Sequence, residues 1–198
     1  SGIPVVDGEK LVGIVTNRDL IELSPNINTI FFKDSRVRIN LGGIAKGYVV
    51  DKCMELLMES GATRALVNAG GDSRILGDRV GRPWQIGVQH PRRPGSIATS
   101  IPILDASVST SGDYERFFEK GGERYHHIIN PSTGKPSRGI QSVTITGPNT
   151  TKTDALATSV FILGEAKGLR LIESIAGYEG IIINSKGEIK MTGGLKPE

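Results

Sequence analysis

Apolar residues recur every three or four positions in three segments of the chain, and this spacing predicts three α-helices. The predicted helices cover residues 44–60, 151–163 and 165–176. A glycine directly follows each segment, and glycine commonly ends a helix because it accepts the left-handed backbone conformation there. Cys53 lies in the apolar register of the first helix, which predicts that this cysteine fills the core.

Short apolar runs between turn residues predict the strands. They cover residues 3–6, 11–15, 65–67, 84–89, 97–104, 106–110, 125–129, 141–146, 181–183 and 188–192. The first two flank Asp7-Gly8, which is typical of a β-hairpin turn. Two further strands are predicted within residues 28–39, and a helical turn within residues 113–119. Because the strands are short and do not alternate strictly with helices, the pattern predicts an α+β fold.

Composition narrows the class of protein without identifying it. A chain of 198 residues with 37% hydrophobic content suits one globular domain, alone or with a short appendage. The 24 basic and 21 acidic residues give a net charge of +3, which is too balanced to indicate a nucleic-acid partner. Cys53 is the single cysteine, so the chain forms no internal disulfide.

Candidate chemistry begins in residues 41–51, where two glycines precede a segment with helical character and Lys46 lies in its first turn. Free N–H groups and a positive charge at such a helix start suit an anion, above all a phosphate. The glycine spacing fits a P-loop, but Tyr48-Val49 stand where that motif needs Lys-Ser/Thr. The P-loop interpretation therefore fails, and Lys46 is either a phosphate ligand or a surface lysine.

Two further segments carry oxygen ligands. Residues 68–72, Asn-Ala-Gly-Gly-Asp, follow a strand, and paired glycines let a backbone approach a ligand closely. The alternative is a simple turn with Asp72 exposed. Asp154 and Thr158 lie four residues apart on one face of a predicted helix, where their oxygen atoms suit Mg²⁺. The alternative for Asp154 is an exposed carboxylate that favours the helix dipole.

A histidine pair and a hydroxyl-rich segment complete the candidates. His126 and His127 lie in a predicted strand and so face opposite ways, which allows only one of them to line a given pocket. Histidine suits proton transfer near neutral pH. Residues 109–113, Ser-Thr-Ser-Gly-Asp, form either an anion-binding loop or an ordinary helix cap.

In their order along the chain, these segments resemble the motifs of the ApbE family of FAD:protein FMN transferases. The matching segments are residues 38–48, 68–72, 109–114, 127–134 and 153–158. Five motifs in one order are far more specific than any one of them. The resemblance covers residues 21–198, without the N-terminal portion that family members carry before the glycine–lysine motif. Residues 1–20 instead resemble a hairpin from the CBS domain of IMP dehydrogenase, which divides the chain at residue 20.

The resemblance implies an ApbE-like, T-fold-related α+β fold, in which helices pack on mixed sheets. It also implies an enzyme that transfers FMN from FAD to a threonine hydroxyl of an acceptor protein, releases AMP and uses Mg²⁺. A FAD-binding module without turnover, and a pyrophosphatase that cleaves FAD to FMN and AMP, are the alternatives. The implied acceptor is a membrane-bound redox subunit on the periplasmic side of the cell envelope. No signal peptide is visible, which leaves the cytoplasm open.

The resemblance further implies roles for individual residues. The metal would be held by Asp154, Thr158 and the carbonyl of Ala45. The FAD site would contain Lys46, Gly70, Gly71, Asp72, Ser111, Gly112, Asp113 and His127. Catalysis would use Lys46, Asp154 and His127, with a carboxylate as the alternative acceptor of the threonine proton.

Overall fold

The fold is that of a computed structural model, which describes residues 3–7, 10–15, 21–24, 29–33 and 40–195. The strands are β1 Ile3–Asp7, β2 Lys10–Val15, β3 Ile21–Ser24, β4 Thr29–Phe32, β5 Ala65–Ala69, β6 Asp72–Leu76, β7 Trp84–Gln89, β8 Ile97–Ile103, β9 Ser107–Gly112, β10 Phe117–Lys120, β11 Glu123–His126, β12 Ile129–Asn130, β13 Lys135–Pro136, β14 Ile140–Gly147, β15 Glu179–Asn184 and β16 Ile189–Met191. The helices are α1 Ala45–Glu59, α2 Thr150–Leu163 and α3 Glu165–Glu173, and a short 3₁₀ helix covers Gly193–Leu195. Six strands form one antiparallel sheet in the order β16-β15-β14-β9-β6-β5, and the others pair as two-stranded hairpins.

Apolar side chains cover both faces of the six-stranded sheet, because successive side chains of a strand point to opposite faces. In β15, Ile182 joins the buried cluster that includes the inner residues of α2 and α3. Ile181 and Ile183 join a second cluster with residues of β7 and β8. The sheet therefore lies between a helical layer and the β7–β8 hairpin, which confirms the predicted α+β class.

Helix α2 packs against β9 and β14 and also contacts both α1 and α3. Its N-cap is Asn149, whose side chain accepts a hydrogen bond from the N–H of Lys152 at 2.8 Å. Gly164, with φ of +84°, ends α2 and lets the chain turn into α3. Among the described residues, no helix combines the length and the apolar character that a membrane crossing requires.

Most predicted elements are confirmed with small shifts at their ends. Strand β7 has the predicted limits, and each helix agrees with its predicted segment to within three residues. Strands β1 and β2 pair as the predicted hairpin, and β4 is one of the two strands predicted within residues 28–39. The other falls on residues 34–39, outside the described part of the chain. The division of the chain at residue 20 stays a prediction.

Three local predictions are wrong. The predicted strand over residues 125–129 is interrupted, because β11 ends at His126 and β12 begins at Ile129, so His127 lies outside both strands. Residues 113–119 do not form a helical turn, because a tight turn after β9 leads directly into β10. Cys53 is exposed rather than buried. Helix α1 turns only Gly47, Val50 and Met54 into the interior of the described structure. The apolar spacing therefore identified the helix but not the side that its neighbours cover.

Candidate functional site

One cavity of about 720 Å³ collects residues from all five sequence motifs. Of the predicted site residues, its wall includes Lys46, Gly70, Ser111, Gly112, His127 and Thr158. Asp72 and Asp154 stand outside the wall and contact Lys46. A concave site of this size is typical for a small-molecule or cofactor ligand.

The Lys46 ammonium lies between two carboxylates from distant parts of the chain. Its Nζ is 2.8 Å from Oδ2 of Asp72 and 3.3 Å from Oδ1 of Asp154. Asp72 begins β6 and Asp154 lies in α2, so these ion pairs join α1 to the sheet and to the second helix. The two carboxylates are only 1% and 2% exposed, whereas the lysine side chain is 42% exposed, so water screens the attraction from the side of the lysine.

This cluster changes the acidity of its members. Burial, and next the charge of Asp154, raise the pKa of Asp72 to about 6, although Lys46 opposes this shift. Burial alone would lower the pKa of Lys46, but its contacts with the two carboxylates outweigh burial and raise that pKa above its ordinary value. Lys46 is therefore charged at neutral pH, and its charge already faces two acidic groups.

A close approach of α1 and α2 holds Asp154 beside the glycine–lysine turn. The N–H of Gly47 donates to Oδ2 of Asp154 at 3.0 Å. A Cβ at Gly47 would clash with the backbone of Thr150, so only glycine fits this approach. Asp51, one turn further along α1, accepts hydrogen bonds from the N–H groups of Thr150 and Thr151 at 2.9 and 2.8 Å. It caps α2 from the neighbouring helix, a role that the sequence pattern did not reveal.

Three hydroxyl pairs, here called the hydroxyl ladder, join β9 to α2. The pairs are Ser107 with Thr150 at 2.8 Å, Ser109 with Thr153 at 2.8 Å, and Ser111 with Thr158 at 3.1 Å. The first two pairs are buried, and the third reaches the cavity. The sequence contains a signal for these pairs. The serines stand at every second position of a strand, and their threonine partners lie on one face of a helix.

The Gly70-Gly71 pair forms the tight turn between β5 and β6. Ala69 pairs with Asp72, which leaves two residues in the turn, with φ of +55° and +96°. Positive φ at both positions is typical of a type I′ hairpin turn, which glycine favours. The simple-turn interpretation is thus correct for the backbone, but Asp72 is buried rather than exposed. Gly70 lines the cavity, whereas Gly71 does not, and its predicted place in the FAD site stays a prediction.

His127 lines the cavity and His126 is buried away from it, so one histidine of the pair faces the site. Nε2 of His126 lies 2.8 Å from the carbonyl of Ser137, and burial lowers the pKa of this histidine. Nδ1 of His127 lies 3.3 Å from the carbonyl oxygen of Arg116, which also accepts the backbone N–H of His127 at 3.1 Å. Because a carbonyl only accepts, Nδ1 of His127 carries a proton in this contact, and in the neutral form of the ring Nε2 then keeps its lone pair.

Asp113 and Ala45 do not reach the cavity wall. Both carboxylate oxygens of Asp113 accept hydrogen bonds from Arg92 at 2.6 Å, and Arg124 lies 3.5 Å away. This bidentate pair, in which only the carboxylate is buried, secures the turn after β9. Ala45 lies in the first turn of α1 next to Lys46. The predicted roles of Asp113 in FAD binding and of the Ala45 carbonyl in metal binding stay predictions.

The oxygen atoms around Lys46 suit a hard divalent cation such as Mg²⁺. Within the described residues both carboxylate oxygens of Asp72 are buried and meet no hydrogen-bond criterion, although Nζ of Lys46 lies 2.8 Å from Oδ2. Asp154 keeps Oδ1 clear of backbone donors, and Thr158 follows one helical turn later. In residues 40–195 no three acidic, histidine or cysteine side chains cluster as a metal site. Mg²⁺ usually takes one or two carboxylates and completes its shell with water and phosphate oxygens, so these residues fit it.

The comparisons with known proteins agree with one another. Residues 9–196 match the model of the ApbE family. The FAD:protein FMN transferase of Treponema pallidum is 36% identical over 179 residues, which cover 85% of this chain and 49% of that protein. The enzyme of the same name from Rhodobacter capsulatus is 32% identical over 173 residues, which cover 87% of this chain and 33% of that protein. The chain thus spans about half the length, or less, of these curated relatives.

Solved structures share the fold. The ApbE protein of Thermotoga maritima matches with a TM-score of 0.79 and 37% identity, over 89% of this chain and 58% of that one. The flavin transferase ApbE of Vibrio cholerae matches with a TM-score of 0.77 and 30% identity, over 91% of this chain and 58% of that one. With the family model, the curated relatives and the fold all in agreement, the chain belongs to the ApbE family.

Proposed function

We propose that this chain forms the catalytic portion of a FAD:protein FMN transferase. It moves FMN from FAD to a threonine hydroxyl of an acceptor protein and releases AMP. The observation that carries this proposal is that residues of five separate motifs line a single cavity, where Lys46 at the wall pairs with two buried aspartates behind it. The names of the relatives from Treponema pallidum and Rhodobacter capsulatus support the same activity.

The reaction exchanges one phosphorus–oxygen bond for another. The threonine oxygen bonds to the phosphorus of the FMN moiety, while the bond from that phosphorus to the bridging oxygen breaks and AMP leaves with the electron pair. The hydroxyl proton passes to Nε2 of His127, whose Nδ1–H is oriented by the carbonyl of Arg116. Because the nucleophile belongs to the acceptor, the chain needs no activated serine or cysteine of its own.

The reaction also requires positive charge near the pyrophosphate, because its negative charge must be neutralised while the phosphorus–oxygen bond breaks. Asp154, Thr158 and the carbonyl of Ala45 would hold Mg²⁺, which when bound supplies positive charge to the phosphate oxygens. Lys46 keeps the Asp154 carboxylate in place beside the cavity. The Ser111 hydroxyl pairs with Thr158 and so fixes the direction of that ligand.

The acceptor and the place of reaction follow from the resemblance to the family motifs. The acceptor is a membrane-bound redox subunit, such as that of a sodium-pumping quinone reductase, and the reaction takes place on the periplasmic side of the cell envelope. Fractionation of cells that express the tagged complete gene tests the location. Recovery of the protein in the cytoplasmic fraction alone would contradict it.

The activity is tested with the purified chain, FAD, MgCl₂ and the acceptor domain of a sodium-pumping quinone reductase subunit. The expected result is covalent flavin fluorescence on the acceptor in a denaturing gel, with one AMP released per flavin bound. An acceptor whose target threonine is changed to valine is the control, and it should stay unlabelled.

Two other outcomes would overturn the transfer reaction. AMP release without labelled acceptor would indicate a FAD pyrophosphatase, and FAD binding without AMP release would indicate a binding module. Within the same assay, Asp154→Ala should lower the Mg²⁺-dependent rate by about a hundredfold or more. An unchanged rate in saturating Mg²⁺ would remove Asp154 from the metal site.

A further inference from the structure

Of the residues that line the cavity in the described part of the chain, two carry a positive charge, Lys46 and Arg116. The Lys46 ammonium is already within 3.3 Å of both Asp72 and Asp154. One positive charge that faces two buried carboxylates has no surplus to offer an incoming anion. A pyrophosphate in this cavity therefore needs a further cationic side chain.

Arg116 lies in the turn between β9 and β10, and its side chain is exposed. Its backbone is anchored, because its carbonyl accepts two hydrogen bonds from His127, at 3.1 and 3.3 Å. Within residues 40–195, its guanidinium has no ion pair or hydrogen bond. The neighbouring Glu115 also lines the cavity but is not within ion-pair distance of it.

Three other arginines around this turn differ from Arg116, because each of them is paired with a carboxylate. The pairs are Arg92 with Asp113 at 2.6 Å, Arg124 with Glu119 at 2.9 Å, and Arg138 with Glu123 at 3.4 Å. Arg116 differs from them both in lining the cavity and in lacking an acidic partner. A guanidinium binds phosphate oxygens through a planar fork of N–H donors and stays charged at every physiological pH.

We propose that Arg116 binds the pyrophosphate of the dinucleotide, a role that rests on the proposed function and for which Lys46 was the candidate in the sequence. The guanidinium donates to non-bridging phosphate oxygens. Because the carbonyl of the same residue orients His127, Arg116 brings the phosphate next to the group that takes up the threonine proton. Lys46 instead holds Asp72 and Asp154 together at the wall.

The test is equilibrium binding of FAD and of riboflavin, measured by quenching of flavin fluorescence with Mg²⁺ present. Riboflavin has the same ring system without the phosphates, so only FAD reports on Arg116. Arg116→Gln should raise the Kd for FAD roughly tenfold to a hundredfold and leave the Kd for riboflavin unchanged. Arg116→Lys should restore part of the loss, because it keeps the charge without the planar fork.

Arg138→Gln is the matched control, because it removes an exposed arginine that already has a carboxylate partner. It should change neither Kd, and thermal unfolding should show all variants folded. The inference is wrong if Arg116→Gln binds FAD as the unchanged chain does, if it weakens FAD and riboflavin alike, or if the unchanged chain binds no FAD.

Binding needs no acceptor, which separates this inference from the proposed activity. A chain that binds FAD through Arg116 but labels no acceptor would reject the transferase and keep the inference. A chain that labels the acceptor equally well with Arg116→Gln at low FAD concentration would reject the inference and keep the transferase.

Discussion

Helices α1 and α2 lie side by side and both carry many apolar residues, yet their surroundings differ sharply. Helix α2 buries nine of its fourteen residues, and Phe161 is 0% exposed. Helix α1 buries three of its fifteen, and leaves Leu56 66% exposed. Small and polar residues hold the two helices together at two points, Gly47 and Asp51, which hydrogen-bond to α2. Burial on α2 stabilises the fold, whereas α1 contributes mainly the position of the site.

The largest difference between the helices should appear when an apolar side chain is removed from each. Phe161→Ala should lower the free energy of unfolding by about 3–5 kcal/mol, because it opens a cavity in the core beneath α2. Leu56→Ala on α1 should change it by about 0.5 kcal/mol or less, because this side chain is mostly exposed. Urea unfolding measures both, and equal losses would show that α1 is covered as fully as α2.

The charged cluster around Lys46, which joins α1 to β6 and to α2, predicts a dependence of stability on pH. The pKa of Asp72 is raised from 3.8 to about 6, mainly by burial, so the folded state holds this proton more tightly than the unfolded state. The corresponding stabilisation, up to roughly 3 kcal/mol, is complete below the unfolded pKa and is lost as the pH rises through 6.

Asp72→Asn removes that titration. Between pH 4 and pH 7, without divalent metal, the original chain should therefore lose stability relative to Asp72→Asn. Glu173→Gln, an exposed change on α3, is the control and should leave the pH dependence unaltered. Parallel stability curves for the original chain and Asp72→Asn would contradict the raised pKa.

The spacing of the two helices is tested at Gly47. Gly47→Ala should destabilise the fold by about 1–3 kcal/mol, because its Cβ would meet the backbone of Thr150. It should also lower the transfer rate at least about tenfold, because separating the helices moves Lys46 and Asp154 apart. Gly193→Ala, where nothing lies near the added Cβ, is the matched control. Normal stability and rate for Gly47→Ala would mean that the helices can separate freely.

The smallest effect is expected at the cap that α1 supplies to α2. Asp51→Ala should lower the free energy of unfolding by about 1 kcal/mol, because it leaves the N–H groups of Thr150 and Thr151 without their acceptor. Glu55→Ala, on the exposed side of the same helix, should cost about 0.5 kcal/mol or less. Equal losses of unfolding free energy for the two variants, measured in urea, would show that Asp51 stabilises the fold no more than an exposed carboxylate does.

The sequence predicted the local elements well because they depend on neighbours along the chain. The limits of β7, the three helices and the glycine stop at residue 164 all follow from periodicity and backbone preference. The same periodicity misplaced Cys53, because spacing shows which residues share a face and not what covers that face. It also left open whether Asp72 is exposed, because the ion pair of this carboxylate with Lys46 joins two elements that are distant in the sequence.

The site was predicted only in part for a similar reason. Lys46, His127 and Thr158 were found because their motifs are specific, and they do line one cavity. Arg116 and Asp51 belong to no catalytic pattern, and their importance comes from partners that only the fold brings near. The pairing of the Asp113 carboxylate with Arg92 was likewise not visible in the sequence, and the predicted role of Asp113 in FAD binding stays a prediction.

The hydroxyl ladder also fixes the position of α2 along strand β9. A helix packed on aliphatic side chains alone slides by a fraction of a turn at small energetic cost, whereas sliding α2 would separate several hydroxyl partners at once, two pairs of them out of reach of water. Ser107 and Ser109, which lie away from the cavity, thus help to set the position of Thr158, and a substitution at Ser107 should displace this hydroxyl relative to the cavity.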